Sequence, residues 1–238
     1  EARYDLMTAW CAANGCSHLF TGHHADDQVE TFLMRLTRGS GVDGLAAIPA
    51  STTRRGVHIV RPLLEFTKAQ LIGTCRSEGQ NWIEDPSNTH ETSTRVRFRN
   101  ARAMLEREGL TRPRLLATVR HLRRAKEALD ASVGSFVNYA CRWDEYRTAR
   151  VDLNELIDIP REIGLRALAR VLIAASGAVY GPRFERLERL YDSFSSGPWR
   201  DATLHGCLIM RDGRELVFVR EAAQITEERE IQIGETVI

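Results

Sequence analysis

The stretch Ser17-His18-Leu19-Phe20-Thr21-Gly22-His23-His24-Ala25-Asp26-Asp27-Gln28-Val29-Glu30-Thr31 constrains the fold more than any other part of the sequence. Ser17 to Thr21 reads as a short buried strand. After Gly22 a helix opens and runs to about Leu36, with acidic side chains in its first turn, where the macrodipole favours them. Upstream, Ala2 to Asn14 has helical spacing and stops at Asn14-Gly15, a favoured C-terminal cap pair. Helix, strand and helix in this order specify an α/β unit. The junction between its strand and second helix is where open α/β sheets bind ligands.

Further along, the second helix ends at Arg38-Gly39-Ser40-Gly41. Val57 to Val60 alternates into Arg61-Pro62 as a strand, and Thr67 to Ser77 reads as a helix capped by Gly79. The loop Asp85-Pro86-Ser87-Asn88 closes a first domain, 1–92. Helical patterns over 95–108, 113–141, 161–176 and 183–194 follow and define a helical domain, 93–200. In 201–238, Thr203 to Met210 and Glu215 to Arg220 flank Asp212-Gly213 as a β-hairpin, ahead of an acidic tail. The expected fold class is α/β, part of a parallel sheet followed by a mainly helical part that ends in a β-hairpin.

Composition narrows the class. With 43% hydrophobic and 27% charged residues, the 238-residue chain is globular and not disordered, collagenous or a coiled-coil array. No window approaches the roughly 18 apolar residues of a membrane span, and Glu-Ala-Arg-Tyr opens no signal peptide, so a cytoplasmic protein is expected. Five scattered cysteines without a CxxC pair predict reduced thiols and no disulfide framework, zinc or iron-sulfur site. The chain starts at Glu1 and enters helical spacing at once, which predicts a fragment.

The net charge of +1 hides an asymmetry. Residues 95–126 hold eleven basic side chains, Arg120, Arg123 and Arg124 among them, against Glu106 and Glu108, a local charge of +9. Such a stripe suits a polyanion, with salt-dependent affinity through counterion release. A solvated helix face is the alternative. The tail from Glu221 carries five glutamates against Arg229.

Three constellations carry chemistry. First, with Asp27 in a first helical turn, Glu30 and Thr31 share its face, so two carboxylates and a hydroxyl point together. They can hold an ammonium group or a magnesium ion on a nucleotide, while His23 and His24 contact phosphate or base. The alternative is that Asp26 and Asp27 cap a helix and one histidine is a core residue. A metal hydrolase would need a second ligand cluster, and none is spaced for it, so a bound metal is left unassigned. Second, Arg38 with Gly39, Gly41 and Gly44 allows backbone amides close to an anion, or is a simple helix stop. Third, Asp85-Pro86-Ser87-Asn88 leads into Arg95, Arg97 and Arg99, guanidinium forks for phosphate or carboxylate.

In order and spacing, His23 to Leu45, Arg61-Pro62-Leu63-Leu64, Asp85 to Asn88 and Arg95 to Arg99 resemble the tRNA(Ile)-lysidine synthase family of PP-loop ATP pyrophosphatases. The likeness is specific over about residues 1–110 and looser beyond. It implies the C-terminal part of an adenine-nucleotide α-hydrolase-like (PP-loop) domain. It also implies an enzyme that uses ATP and Mg2+ to adenylate the wobble cytidine of CAU-anticodon tRNA(Ile). The ε-amine of L-lysine then displaces AMP. By resemblance Asp27 and Glu30 are catalytic and address the lysine, and His23, His24 and Asp26 lie near the nucleotide. Arg38, Gly39, Gly41, Arg95, Arg97, Arg99, Arg120, Arg123 and Arg124 meet anions or tRNA. The family's Ser-Gly-Gly-x-Asp-Ser loop lies upstream of these motifs and is absent from this chain, and Val96 stands where the family usually has asparagine. Another PP-loop tRNA-modifying enzyme, such as a thiolase, and a non-catalytic RNA-binding module remain the alternatives. A membrane is not among the expected partners, and a homodimer is left open.

Overall fold

The computed structural model describes residues 2–83, 94–196 and 199–222, with the backbone alone for 94–96. The Asp85-Pro86-Ser87-Asn88 loop, the Arg95 side chain and all of the acidic tail beyond Glu221 and Ala222 lie outside the described residues. The chain divides into two compact units, Glu1–Glu127 and Ala128–Ile238. The sequence places its divisions after 92 and after 200. Position 92 lies outside the described residues, and the strands after position 200 belong to a larger sheet.

In the first unit, α1 (Ala2–Ala13) precedes β1 (His18–Phe20), and α2 (Ala25–Leu36) follows it. Then come the single turn α3 (Val42–Leu45), β2 (Ser51–Arg54), β3 (Val57–Val60) and α4 (Lys68–Ser77). The sheet order is β1-β3-β2, with β1 parallel and β2 antiparallel to β3, so the sheet is mixed. Strand β2 has no apolar alternation and escaped the sequence pattern. It is fixed by its turn, where Arg55 (φ 51°) and Gly56 (φ 77°) both take the left-handed region that a two-residue hairpin needs. β1 is not the buried strand expected: His18 is exposed and Phe20 is 67% exposed, because β1 borders the sheet and only β3 pairs with it among the described residues.

The long basic segment forms α5 (Thr94–Asn100), α6 (Arg102–Arg107) and α7 (Arg112–Ala140). Leu115 and Val119 of α7 pack with Phe32 and Leu33 of α2 and with Ala47, and Phe98 and Leu105 close the edge of this small core. Polar groups are buried here too. Gln28, 2% exposed, donates from Nε2 to the Ile48 carbonyl and accepts from the Ile48 N–H, both at 2.8 Å. One side chain thus replaces a strand partner for a loop residue 20 positions away.

The second unit is not a helical domain with a separate hairpin. β4 (Cys141–Trp143) and β5 (Ala149–Asp152) precede α8 (Leu153–Asp158), α9 (Arg161–Ser176) and α10 (Phe184–Ser193). The chain then returns as β6 (Ala202–Leu204), β7 (Cys207–Asp212) and β8 (Glu215–Arg220). All five strands join one antiparallel sheet, β4-β5-β8-β7-β6. The expected hairpin is its β7–β8 pair, while Ala202 to Leu204 form their own strand, turned into β7 by His205 (φ 58°) and Gly206 (φ 76°). β4 and β5 are three and four residues long, too short for alternation to show beside a strong helical pattern. Leu172, Ile209, Leu216 and Phe218, each fully buried, centre a large apolar core. Gly164 lets α10 approach: a Cβ there would lie 2.5 Å from the Tyr191 hydroxyl, which donates to the Leu156 carbonyl at 3.0 Å.

Candidate active site

The N-terminus of α2 is capped by its own third residue, Asp27. His24 is extended (φ −128°) before the first turn, and its N–H donates to Asp27 Oδ2 at 2.9 Å. Asp27 is therefore turned back onto the chain. Asp26 points elsewhere: its Oδ2 accepts from the Lys68 N–H at 2.9 Å, so the carboxylate caps α4 and ties the starts of the two helices together. Ala25 N–H adds a bond to the Phe66 carbonyl at 2.8 Å.

Below Asp26 lies a cavity of about 430 Å³, enclosed by α2, α4, α5, α6 and the start of α7. Val29, Leu33, Ile72, Phe98, Leu105 and Leu115 give it an apolar wall. Three carboxylates face it: Asp26, Glu30 and Glu106. Asp26 and Glu30 are four residues apart, one turn of helix, and this pair shares the cavity face. The spacing Asp27–Glu30 does not bring both carboxylates into the lining, because Asp27 is held by His24. His23 is bonded through Nδ1 to the Thr21 hydroxyl at 3.0 Å. His24 Nδ1 is buried without a hydrogen-bond partner, 3.5 Å from Asp27 Oδ2 and 3.8 Å from Asp26 Oδ2.

Arginines from the later helices answer these carboxylates. Arg99 Nε donates to Glu30 Oε1 at 2.5 Å and Nη2 to Oε2 at 3.3 Å, a bidentate pair on a carboxylate that is 6% exposed. Its hydrogen bond to Glu30 holds the Arg99 guanidinium above its usual range. Arg112 Nε is 2.9 Å from Asp26 Oδ1, at ion-pair distance but not in a hydrogen-bonding direction. Arg102 lies 3.6 Å from the same oxygen and donates to Glu106 at 2.9 Å. No sequence pattern could pair positions 30 and 99. The only signal was a basic helix start opposite an acidic one.

The remaining sequence candidates scatter. Arg38, Gly39 and Gly41 do not line the cavity. The glycine turn is closed by Arg35, which donates to the Gly44 and Ala47 carbonyls at 2.7 and 3.0 Å and whose guanidinium is pushed down by burial. A Cβ at Gly39 or Gly41 would meet nothing within 4 Å, whereas one at Gly44 would strike Ser40 at 2.5 Å. Gly39 takes the left-handed region (φ 68°) that the turn needs. Among the described residues no group of three or more His, Cys, Asp or Glu side chains could hold a metal. Of the basic stripe, Arg123 is directed inward, donating to the Ile48 carbonyl at 3.1 Å, and Lys126 lies 3.6 Å from Asp43. Arg97, Arg120 and Arg124 have exposed side chains. Among the described residues no helix is long and apolar enough to cross a membrane.

Mixed sheet, strand-to-helix junction and charged cavity agree with the comparison to protein families, in which residues 1–105 match the PP-loop domain. The chain is 33% identical over 95% of its length to the tRNA(Ile)-lysidine synthase of Wolbachia sp. subsp. Brugia malayi, covering 53% of that protein. The corresponding figures are 35%, 93% and 52% for the Ruegeria pomeroyi enzyme, and 36%, 90% and 66% for that of Methylobacterium nodulans. The chain belongs to the tRNA(Ile)-lysidine synthase family. It spans about half the length of the first curated relatives it matches.

Proposed function

We propose that this chain carries the lysine-binding and tRNA-binding part of a tRNA(Ile)-lysidine synthase, an ATP-dependent ligase. In the reaction the C2 carbonyl oxygen of the wobble cytidine in CAU-anticodon tRNA(Ile) attacks the α-phosphorus of ATP and releases pyrophosphate. The lysine ε-amine, having lost a proton, then attacks C2 and AMP leaves with the bonding pair. ATP belongs to the first half, and Mg2+ would accompany it. The cavity described above concerns the second half.

The observation that supports the reading is the cavity: an apolar wall that suits a tetramethylene stem, ending at Glu30, a buried carboxylate. Glu30 holds the incoming ammonium, and holding it desolvated beside the acceptor accelerates attack by proximity. Asp27 orients the α2 terminus through His24. His23, His24 and Asp26 lie at the nucleotide side of the junction. Arg95, Arg97 and Arg99, with Arg38 and its Gly39–Gly41 turn, meet anionic groups, and Arg120 and Arg124 meet the tRNA backbone. The finer fold reading, the C-terminal part of an adenine-nucleotide α-hydrolase-like domain, belongs to the same proposal.

The test is binding of this chain to CAU-anticodon tRNA(Ile), and to the same tRNA with its wobble cytidine replaced, across a salt series. The expected result is tighter binding of the cytidine form at every salt concentration. Equal affinities with the same salt slope would overturn the wobble assignment and leave a generic basic surface.

A further inference from the structure

Among the described residues each carboxylate on the cavity wall is already neutralised: Glu30 by Arg99, Asp26 by Arg112 and Arg102, Glu106 by Arg102. A cation that binds one of these three carboxylates does so by exchange with a guanidinium. The pairs differ in how readily they exchange. Asp26 is anchored to the Lys68 N–H and shared between two arginines, so the loss of one leaves it neutralised and fixed. Glu106 is 41% exposed and needs no partner to stay charged. Glu30 is 6% exposed and leans on one arginine that is itself 41% exposed. The Arg99 guanidinium is already in part solvated, whereas the Glu30 carboxylate lies in an apolar wall and requires a cation if Arg99 rotates away.

We propose that Arg99 is a placeholder cation: its guanidinium neutralises Glu30 in the empty site, and the ammonium of an aliphatic ligand displaces it, with the stem lying along Val29, Leu33 and Phe98. This deepens the lysine reading above and rests on it for the identity of the ligand, but not for the exchange itself. The exchange keeps the buried carboxylate paired throughout. It also makes binding selective, since a neutral aliphatic ligand cannot release Arg99. The displaced guanidinium can then meet an anionic group, such as the ligand's own α-carboxylate. Competition from Arg99 lowers the apparent affinity by the fraction of time the pair is closed, as for any ligand that binds a minor state.

The test is calorimetric titration of the full chain with n-butylammonium, which carries stem and ammonium alone, and with L-lysine. Arg99→Met removes the competing cation at nearly constant length, and n-butylammonium is expected to bind about tenfold more tightly than to the unaltered chain. Arg99→Lys, which can make one bond where arginine makes two, is expected to give a smaller gain, and it reports on the exchange if Arg99→Met does not fold. Glu30→Gln is expected to abolish n-butylammonium binding, and Arg99→Met is then expected to give no gain on top of it. Unchanged or weaker n-butylammonium binding in both Arg99 variants would overturn the exchange, as would the absence of binding to every form. If lysine binds the unaltered chain but neither Arg99 variant tightens n-butylammonium, the exchange fails and the lysine reading stands. If n-butylammonium binding tightens while lysine binds no form, the exchange stands and the lysine reading fails.

Discussion

The two units bury different things. In the second, Ser176 is the one buried polar residue among those described, and its hydroxyl donates to the Leu172 carbonyl of its own helix, while the core is otherwise apolar from Val133 to Phe218. In the first, the apolar cluster is small, and Thr8, Gln28, Glu30 and Arg61 are also buried, each with a specific partner, although Arg61 Nε has none. Hydrophobic burial is non-directional and scales with area, so it builds a stable unit without fixing a reactive geometry. Directional polar pairs stabilise less but fix where a carboxylate points. The second unit is organised around its apolar core, and the first sets charged side chains around a cavity.

Substitutions can separate the two strategies. The largest loss is expected for Leu172→Ala, where a fully buried side chain leaves a cavity: about 4 kcal/mol, read by denaturant unfolding of the second unit. Gln28→Ala in the first unit strands the Ile48 N–H and is expected to cost about 2 kcal/mol, seen also as faster amide exchange at Ile48. Burial raises the Cys141 and Cys207 thiols from 9.0 to about 11, so the unfolded chain loses these protons first. The stability that depends on them is complete below pH 9 and falls between 9 and 11, by at most about 1.4 kcal/mol per pH unit for each thiol. An alkaline unfolding series checks this, and exposed Cys16 should alkylate well before either.

Glu30→Gln is expected to cost less than about 1 kcal/mol of stability, because the Arg99 guanidinium it leaves is 41% exposed. A loss comparable to that of Leu172→Ala would show that the ion pair is a structural element and would break the contrast between the units. The smallest stability effect belongs to Arg120→Glu and Arg124→Glu, expected within about 0.5 kcal/mol of zero while tRNA binding weakens and its salt slope drops by about one per site. Arg123→Glu should behave differently, since it removes a donor from the Ile48 carbonyl and costs stability as well.

Much of the secondary structure was legible because helical periodicity is local. The pattern over 161–176 coincides with α9, Thr67 to Ser77 differs from α4 and its cap by nothing, and the strand-to-helix junction at Gly22 lies where the α/β reading put it. Short strands were not legible. β2, β4, β5 and β6 hold three or four residues each, and their existence depends on partners distant in sequence that supply the hydrogen bonds. The chemistry-bearing junction was also legible by residue type, yet which carboxylate faces the cavity was not. Asp26 and Asp27 are neighbours on one helical turn, and capping by His24 and by Lys68 decides their directions.

By itself, then, the sequence determined where helices form and which segment concentrates acid and base, because spacing, caps and charge are properties of neighbouring residues. Only the tertiary structure decided that Glu30 meets Arg99 across 69 positions and that Arg123 serves a loop carbonyl rather than solvent. It alone also made one sheet of strands lying on either side of three helices. Those outcomes depend on which surfaces become buried together, and burial sets the cost of leaving a charge or a backbone group without its partner.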